Sequence, residues 1–109
     1  MNLLDIVVQD AIKTDLTPES RNAAIGELLD LLVNAGAVKA DLRDEFHKAI
    51  IKRENKGSTG FGHGVAVPHI KHEKIEQMSV AIGISKEGLD FKSLDGQPVH
   101  SVFLLLSPE

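Results

Sequence analysis

The chain has 109 residues, 42% of them hydrophobic and 26% charged, with a formal net charge of −4, which fits one globular domain burying roughly two thirds of its unfolded surface. Lysines are spread along the chain and the aromatic residues are four phenylalanines, so there is neither a basic face for a nucleic-acid backbone nor a platform for stacking bases, and nucleic acid is excluded as a partner. There is no cysteine, which removes disulfides and thiolate zinc sites and favours a reducing compartment, the cytoplasm.

The N-terminal "MNLLDIVVQD" is apolar but has no basic leader and contains Asp5. No later stretch approaches the roughly 20 apolar residues of a membrane span. Neither an export signal nor membrane insertion is expected. A strand is expected in "DAIKTDL". "TPESRNAAIGELLDLLVNAG" then predicts an amphipathic helix, with Thr17 as N-cap, Pro18 at the first helical position and Gly36 as the stop. Ala24, Ile25, Leu28, Leu29 and Leu32 fall at helical spacing between them. A second helix is expected from near Asp41, burying Leu42, Phe46, Ala49 and Ile50 and ending in the polar "KRENKG".

A glycine-rich loop, "GSTGFGHGVAVPH" (57–69), follows. Beyond it "MSVAIGIS" alternates Val80, Ile82 and Ile84 against smaller residues, and "VHSVFLLLS" is an apolar run; both read as strands. Turns are expected at Glu87-Gly88 and Asp95-Gly96, around the apolar pair Leu89 and Phe91. This order predicts an α/β fold, a layered sandwich of a mixed β-sheet with covering helices.

Several chemistries compete for the glycine-rich segment. A P-loop needs G-x-x-x-x-G-K-[ST] before a helix, whereas here the order is Lys56-Gly57-Ser58 and Pro68 blocks an early helix. A dinucleotide fingerprint fails on the last glycine interval of Gly60, Gly62 and Gly64. A zinc site from His63, His69 and His72 has intervals that match no helical pair, and Glu73 is its one acidic candidate. The remaining chemistry is a phosphoryl-accepting histidine. One imidazole nitrogen takes the group while a hydrogen bond fixes the other, and the three phosphoryl oxygens need donors. On that reading glycines let backbone N–H groups form an anion nest, Ser58 and Thr59 add hydroxyls, and Pro68 sets the exit angle of His69.

"RENKGSTGFGHGVAVPH" resembles the signature of the type-2 (fructose/mannitol) EIIA domains of the bacterial phosphoenolpyruvate-dependent phosphotransferase system, which include nitrogen-regulatory EIIA proteins. Glu54 fills the acidic place, then after six positions come Phe61-Gly62, the small apolar Val65, Ala66 and Val67, and Pro68-His69. The helix ending in "AGAV", the helix ending in "KREN" and the later "DGQPVHSVFLLLSPE" fall in family order, so the resemblance covers nearly the whole chain. It implies an α/β sandwich in which His69 takes a phosphoryl group from phospho-HPr and passes it to a cysteine of an EIIB domain, with no cofactor and no metal. It equally admits a regulatory module whose phosphorylation state at His69 modulates a protein partner. Ile70 departs from the small residue usual after the histidine. Family members also continue for about another helix pair carrying a second, supporting histidine, whereas the sequence given stops at Glu109, so 1–109 is expected to be a single EIIA domain without those helices. The strand Phe103 to Leu106 would then show an apolar face able to drive homo-oligomerisation.

The other candidates each have a plainer role available. His63 fits a second phosphate ligand or a surface residue, and His100 fits a strand-face residue or a stand-in for the missing histidine. His47 and His72 read as solvated. Glu54 reads as an acceptor for loop N–H groups or a solvated helix end, and Ser58 and Thr59 as donors or turn formers. The expected support set for His69 is therefore Glu54, Ser58, Thr59, Gly60, Gly62, His63 and Gly64.

Overall fold

A computed structural model describes residues 3–17 and 20–109. A short turn of helix, α1 (Leu3–Ile6), leads into β1 (Val7–Lys13), the strand expected near the start. Helix α2 (Arg21–Asn34) begins three residues later than the Thr17 cap implies. Ser20 is the cap: its backbone is extended and its hydroxyl accepts the Ala23 N–H at 3.2 Å. Two cap formers stand three residues apart in this segment, and use of the second places Ala24, Ile25, Leu28, Leu29 and Leu32 on the core face. The expected placement of Pro18 lies outside the described residues. The helix ends as expected at Gly36, where Ala37 N–H bonds Leu32 O at 2.9 Å and Gly36 N–H bonds Val33 O at 3.0 Å, a Schellman closure with Gly36 at φ +81°. A single 3-10 turn (Ala40–Leu42) then opens α3 (Arg43–Lys56).

The glycine-rich segment is not one loop. It forms β2 (Gly60–Gly62), β3 (Val65–Ala66) and β4 (His69–His72), followed by the long β5 (Ser79–Leu89) and β6 (Val99–Pro108). The sheet runs β1-β5-β6-β3-β2, with β4 also on β6. β5 and β6 are antiparallel, while β1 on β5 and both β3 and β4 on β6 are parallel. The expected turn at Glu87-Gly88 is instead an irregularity inside β5, where Gly88 N–H bonds Ser85 Oγ and the register with β6 shifts. The turn at Asp95-Gly96 is present, closed by Gly96 N–H on Ser93 O.

The pleat sorts side chains by parity. Val102, Leu104 and Leu106 of β6 are fully buried with Ala81, against Leu28, Leu29, Leu32, Phe46 and Ile50 of the two long helices. A Cβ on Gly83 would stand 2.5 Å from Leu16 and 3.0 Å from Leu28, so the small residues of β5, and not its isoleucines, face the helices. The opposite face carries Ile82 directly across from Phe103, and Val80 across from Leu105. There Ile12 is 44% and Ile84 37% exposed.

Candidate functional site

β3 and β4 form one line along β6, broken at Val67-Pro68. Val65 and Ala66 pair with Ser101 and Val102, and His69 and Ile70 with Leu105 and Leu106. The break follows from proline chemistry. Pro68 has no N–H to give the ladder, the Val67 N–H turns away to Thr59 O at 3.3 Å, and the Pro68 carbonyl accepts the Leu105 N–H at 2.9 Å. His69 therefore sits at the head of a strand, beside Leu105 on the face away from the helices. Its neighbour Ile70 is buried against the core, which accounts for a large residue at that position.

The break also orients the imidazole. His69 Nδ1 lies 2.8 Å from the Val67 carbonyl. A carbonyl only accepts, so Nδ1 carries the proton and donates, leaving Nε2 with a free lone pair. His69 is half-buried.

The turn before it is held by Glu54, in the last turn of α3 and 2% exposed. Its carboxylate accepts the Thr59 N–H at 3.2 Å and the Thr59 hydroxyl in a short hydrogen bond. Ser58 donates its hydroxyl to Phe91 O and accepts the Gly60 N–H at 2.9 Å. Glu54 thus accepts from the loop, as one reading of the sequence has it.

The anion-nest expectation needs correcting here. The N–H groups of Gly57, Thr59, Gly60 and Val67 and the hydroxyls of Ser58 and Thr59 are engaged inside the protein. The glycines have other work. Gly60 lies so close to Ser93 that a Cβ would come within 2.3 Å of its hydroxyl. His63 (φ +58°) and Gly64 (φ +74°) form the two-residue connection between β2 and β3, with positive φ at both positions as a type I′ hairpin turn requires.

Glu54, Ser58, Thr59 and Gly60 are thereby gathered behind Val67 and His69, whereas Gly62, His63 and Gly64 run the other way. Gly64 O accepts the N–H groups of His100 and Ser101. Ser101 and Leu105, the β6 partners of Val65 and His69, are four residues apart, about 13 Å at ~3.3 Å per residue. The hairpin tip with His63 is thus held away from the His69 ring. His100 is five residues from Leu105 and so further displaced; its Nδ1–H donates to Ser85 O at 2.8 Å.

Two histidines expected to be solvated are engaged. His47 Nε2 donates to Asn22 O at 2.9 Å. His72 accepts the Lys74 N–H on Nδ1 at 3.0 Å, reaches Glu45 through Nε2 at 2.7 Å and packs on Phe46 with ring centroids 5.0 Å apart. The Lys74 ammonium hydrogen-bonded to Glu45, with the His72 ring beside it, holds that carboxyl below its ordinary range. Because His72 is turned to Glu45 and Phe46 and His63 lies at the hairpin tip, the His63, His69, His72 set is not assembled. Among the described residues no group of three or more His, Asp or Glu stands together to hold a metal ion, and no helix is long and apolar enough to cross a membrane.

A half-buried histidine at the head of a sheet strand, after a carboxylate-clamped turn, is thus the candidate site of this small α/β domain. Residues 5–109 match the model of the phosphoenolpyruvate-dependent sugar phosphotransferase system EIIA 2 family, and the chain belongs to that family. It is 36% identical over 109 residues to the fructose-specific EIIABC component of Bacillus subtilis, covering all of this chain and 17% of that protein. It is 37% identical over 113 residues to a nitrogen regulatory protein of Bradyrhizobium diazoefficiens, covering all of this chain and 69% of the relative. The crystal structure of nitrogen regulatory protein IIA-Ntr from Neisseria meningitidis superposes with a TM-score of 0.85 at 31% identity, over 96% of this chain and 70% of that one.

Proposed function

We propose that His69 is a phosphoryl relay, taking the group from the phosphohistidine of HPr and passing it to a cysteine of an EIIB domain. The observation that carries this reading is the hydrogen bond from Nδ1 to Val67 O, which leaves Nε2 as the bare nucleophile. In the first step the donor's N–P bond breaks as the His69 Nε2–P bond forms. In the second that bond breaks as a thiolate S–P bond forms. Charge stays on the three phosphoryl oxygens through a loose transition state. The contribution of Glu54, Ser58, Thr59 and Gly60 is to fix the turn behind the ring rather than to touch the group. Nδ1–H on a carbonyl favours the phosphohistidine, since the imidazole then has a neutral tautomer ready and an imidazolium N–H partner once phosphorylated. An EIIB acceptor is supported by the Bacillus relative, whose name joins A, B and C components in one protein. A cytoplasmic location goes with this exchange of partners.

A second reading is a regulatory module whose state of phosphorylation at His69 modulates a protein partner. It is supported by the nitrogen regulatory relatives in sequence and in structure.

Incubation with phosphoenolpyruvate, the general energy-coupling enzyme and HPr should place an acid-labile, base-stable phosphate on the chain. His69→Gln should abolish it with the fold intact, and label persisting in that variant overturns the assignment. Onward transfer to an EIIB cysteine separates the two readings, because a purely regulatory module keeps its label when EIIB is added.

A further inference from the structure

On the other side of the Ser58 turn lies a cavity of about 230 Å³, bordered by Arg21, Glu54, Lys56, Ser58 and Lys92. Its three cations come from three separate places: the first residue of α2, the last of α3, and the connection between β5 and β6. Among the described residues none of the three forms an ion pair. The wall also holds one carboxylate, Glu54, buried and hydrogen-bonded to Thr59, so three cations border the hollow against a single acid. In a chain of net charge −4, three cations with no ion-pair partner among the described residues border one hollow, which makes it locally basic and attractive to an anion.

The carbonyl end of α3 also attracts cations, but that accounts for Lys56 alone, and Arg53 already donates to Gly57 O at 2.8 Å. Arg21 and Lys92 need another reason. The Arg21 guanidinium is oriented, with Nε donating to Asn22 Oδ1 at 3.0 Å and Nη2 to Asn55 Oδ1 at 3.2 Å. Among the described residues its other N–H groups have no hydrogen-bond partner, and a guanidinium of this kind suits a planar or tetrahedral oxyanion. A carboxylate is satisfied by one bidentate cation, whereas the three oxygens of a phosphate dianion call for several. The volume exceeds the ~30 Å³ share of a single water several times over, leaving room for a short carbon skeleton.

We infer that this cavity is a phosphate-binding site, taking the phosphate group of a small phosphorylated molecule or the free anion. His69 does not border it; Glu54 and Ser58 belong both to its wall and to the turn before His69, but phosphate binding here is measured without any phosphoryl transfer, so its test does not depend on that reading.

The test is titration with inorganic phosphate and with glycerol 1-phosphate at constant ionic strength, following the amide resonances of Gly57, Ser58 and Lys92. Saturable shifts are expected. Lys56→Gln with Lys92→Gln, both at exposed positions, removes two charged donors and should weaken binding by at least about tenfold. His69→Gln should bind as the parent does. Tighter binding of the ester assigns a phosphorylated small molecule, and equal binding assigns the free anion. Shifts that never saturate, that survive the double substitution, or that vanish in His69→Gln overturn the inference.

Discussion

The carboxylate of Glu54 receives both the backbone N–H and the hydroxyl of Thr59, joining the end of α3 to the turn that leads to His69. With Glu54 2% exposed, this is a hydrogen bond to a buried acid, and its loss leaves an acceptor stranded. Thr59→Val should destabilise the domain by about 1–3 kcal/mol, read from urea unfolding midpoints, while Thr59→Ser keeps most of that stability. Equal losses in both variants would show that the methyl, and not the hydroxyl, matters.

Gly60 and Ser93 make a second testable pair. A Cβ at position 60 would stand 2.3 Å from Ser93 Oγ and 3.2 Å from Ser93 Cβ, so Gly60→Ala should cost about 1–3 kcal/mol through overpacking. Among the described residues Ser93 Oγ is buried without a hydrogen-bond partner, so Ser93→Ala should be neutral or slightly stabilising. Combined with Gly60→Ala it should recover part of the loss. A double-mutant cycle with no coupling would place the strain elsewhere.

Acid should weaken the α3 to β4 contact. Glu45 is held below its ordinary carboxyl range by the hydrogen bond from Lys74, then by the charges of Lys74 and His72. A group whose folded pKa is depressed contributes stability that is complete above its unfolded value and lost as pH falls through the folded one. The difference in unfolding midpoint between the parent and Glu45→Gln should therefore be present at pH 7 and shrink below about pH 4, under the ordinary Glu range. A difference that grows on acidification would contradict the assignment.

The face of the sheet away from the helices should make the 109-residue polypeptide associate. Ile12 and Ile84 are exposed beside Ile82, Phe103 and Leu105, a contiguous apolar surface of the kind that drives association. Light scattering should give a mass above that of the 11.8 kDa chain, and Ile12→Lys with Ile84→Lys should return it to the monomer. A parent that scatters as a monomer would remove this expectation.

The helices, the cores of the two long strands and the order of elements were legible because each carries its own period or punctuation; Gly36 and the apolar run of β6 are examples. The hairpin was not. Its strands are two and three residues long, too short to display an alternation, and glycines that read as freedom for an anion nest serve a close approach at Gly60 and a turn at Gly64. Thr17 and Ser20 have the same chemistry, so the choice of cap lay in which start brings Ala24 and Leu28 onto the sheet. The motif singled out His69 as the candidate, but the clamp on Thr59 and the Val67 carbonyl that selects the tautomer are contacts across a break whose geometry no spacing rule encodes.

The interrupted strand has one more consequence. Because His69 is held in the β6 ladder opposite Leu105, the direction of its ring is decided by whether the count from Ala66 is odd or even. Adding or removing one residue at Val67-Pro68 would shift β4 by one place and exchange the two sides, sending the imidazole into the apolar interior and bringing Ile70 out to water. The segment can therefore change length only in steps that preserve parity or at the hairpin tip, where His63 and Gly64 lie ahead of the ladder. A one-residue insertion after Pro68 should silence the histidine while leaving every chemical group of the site present, and the same insertion after His63 should spare it.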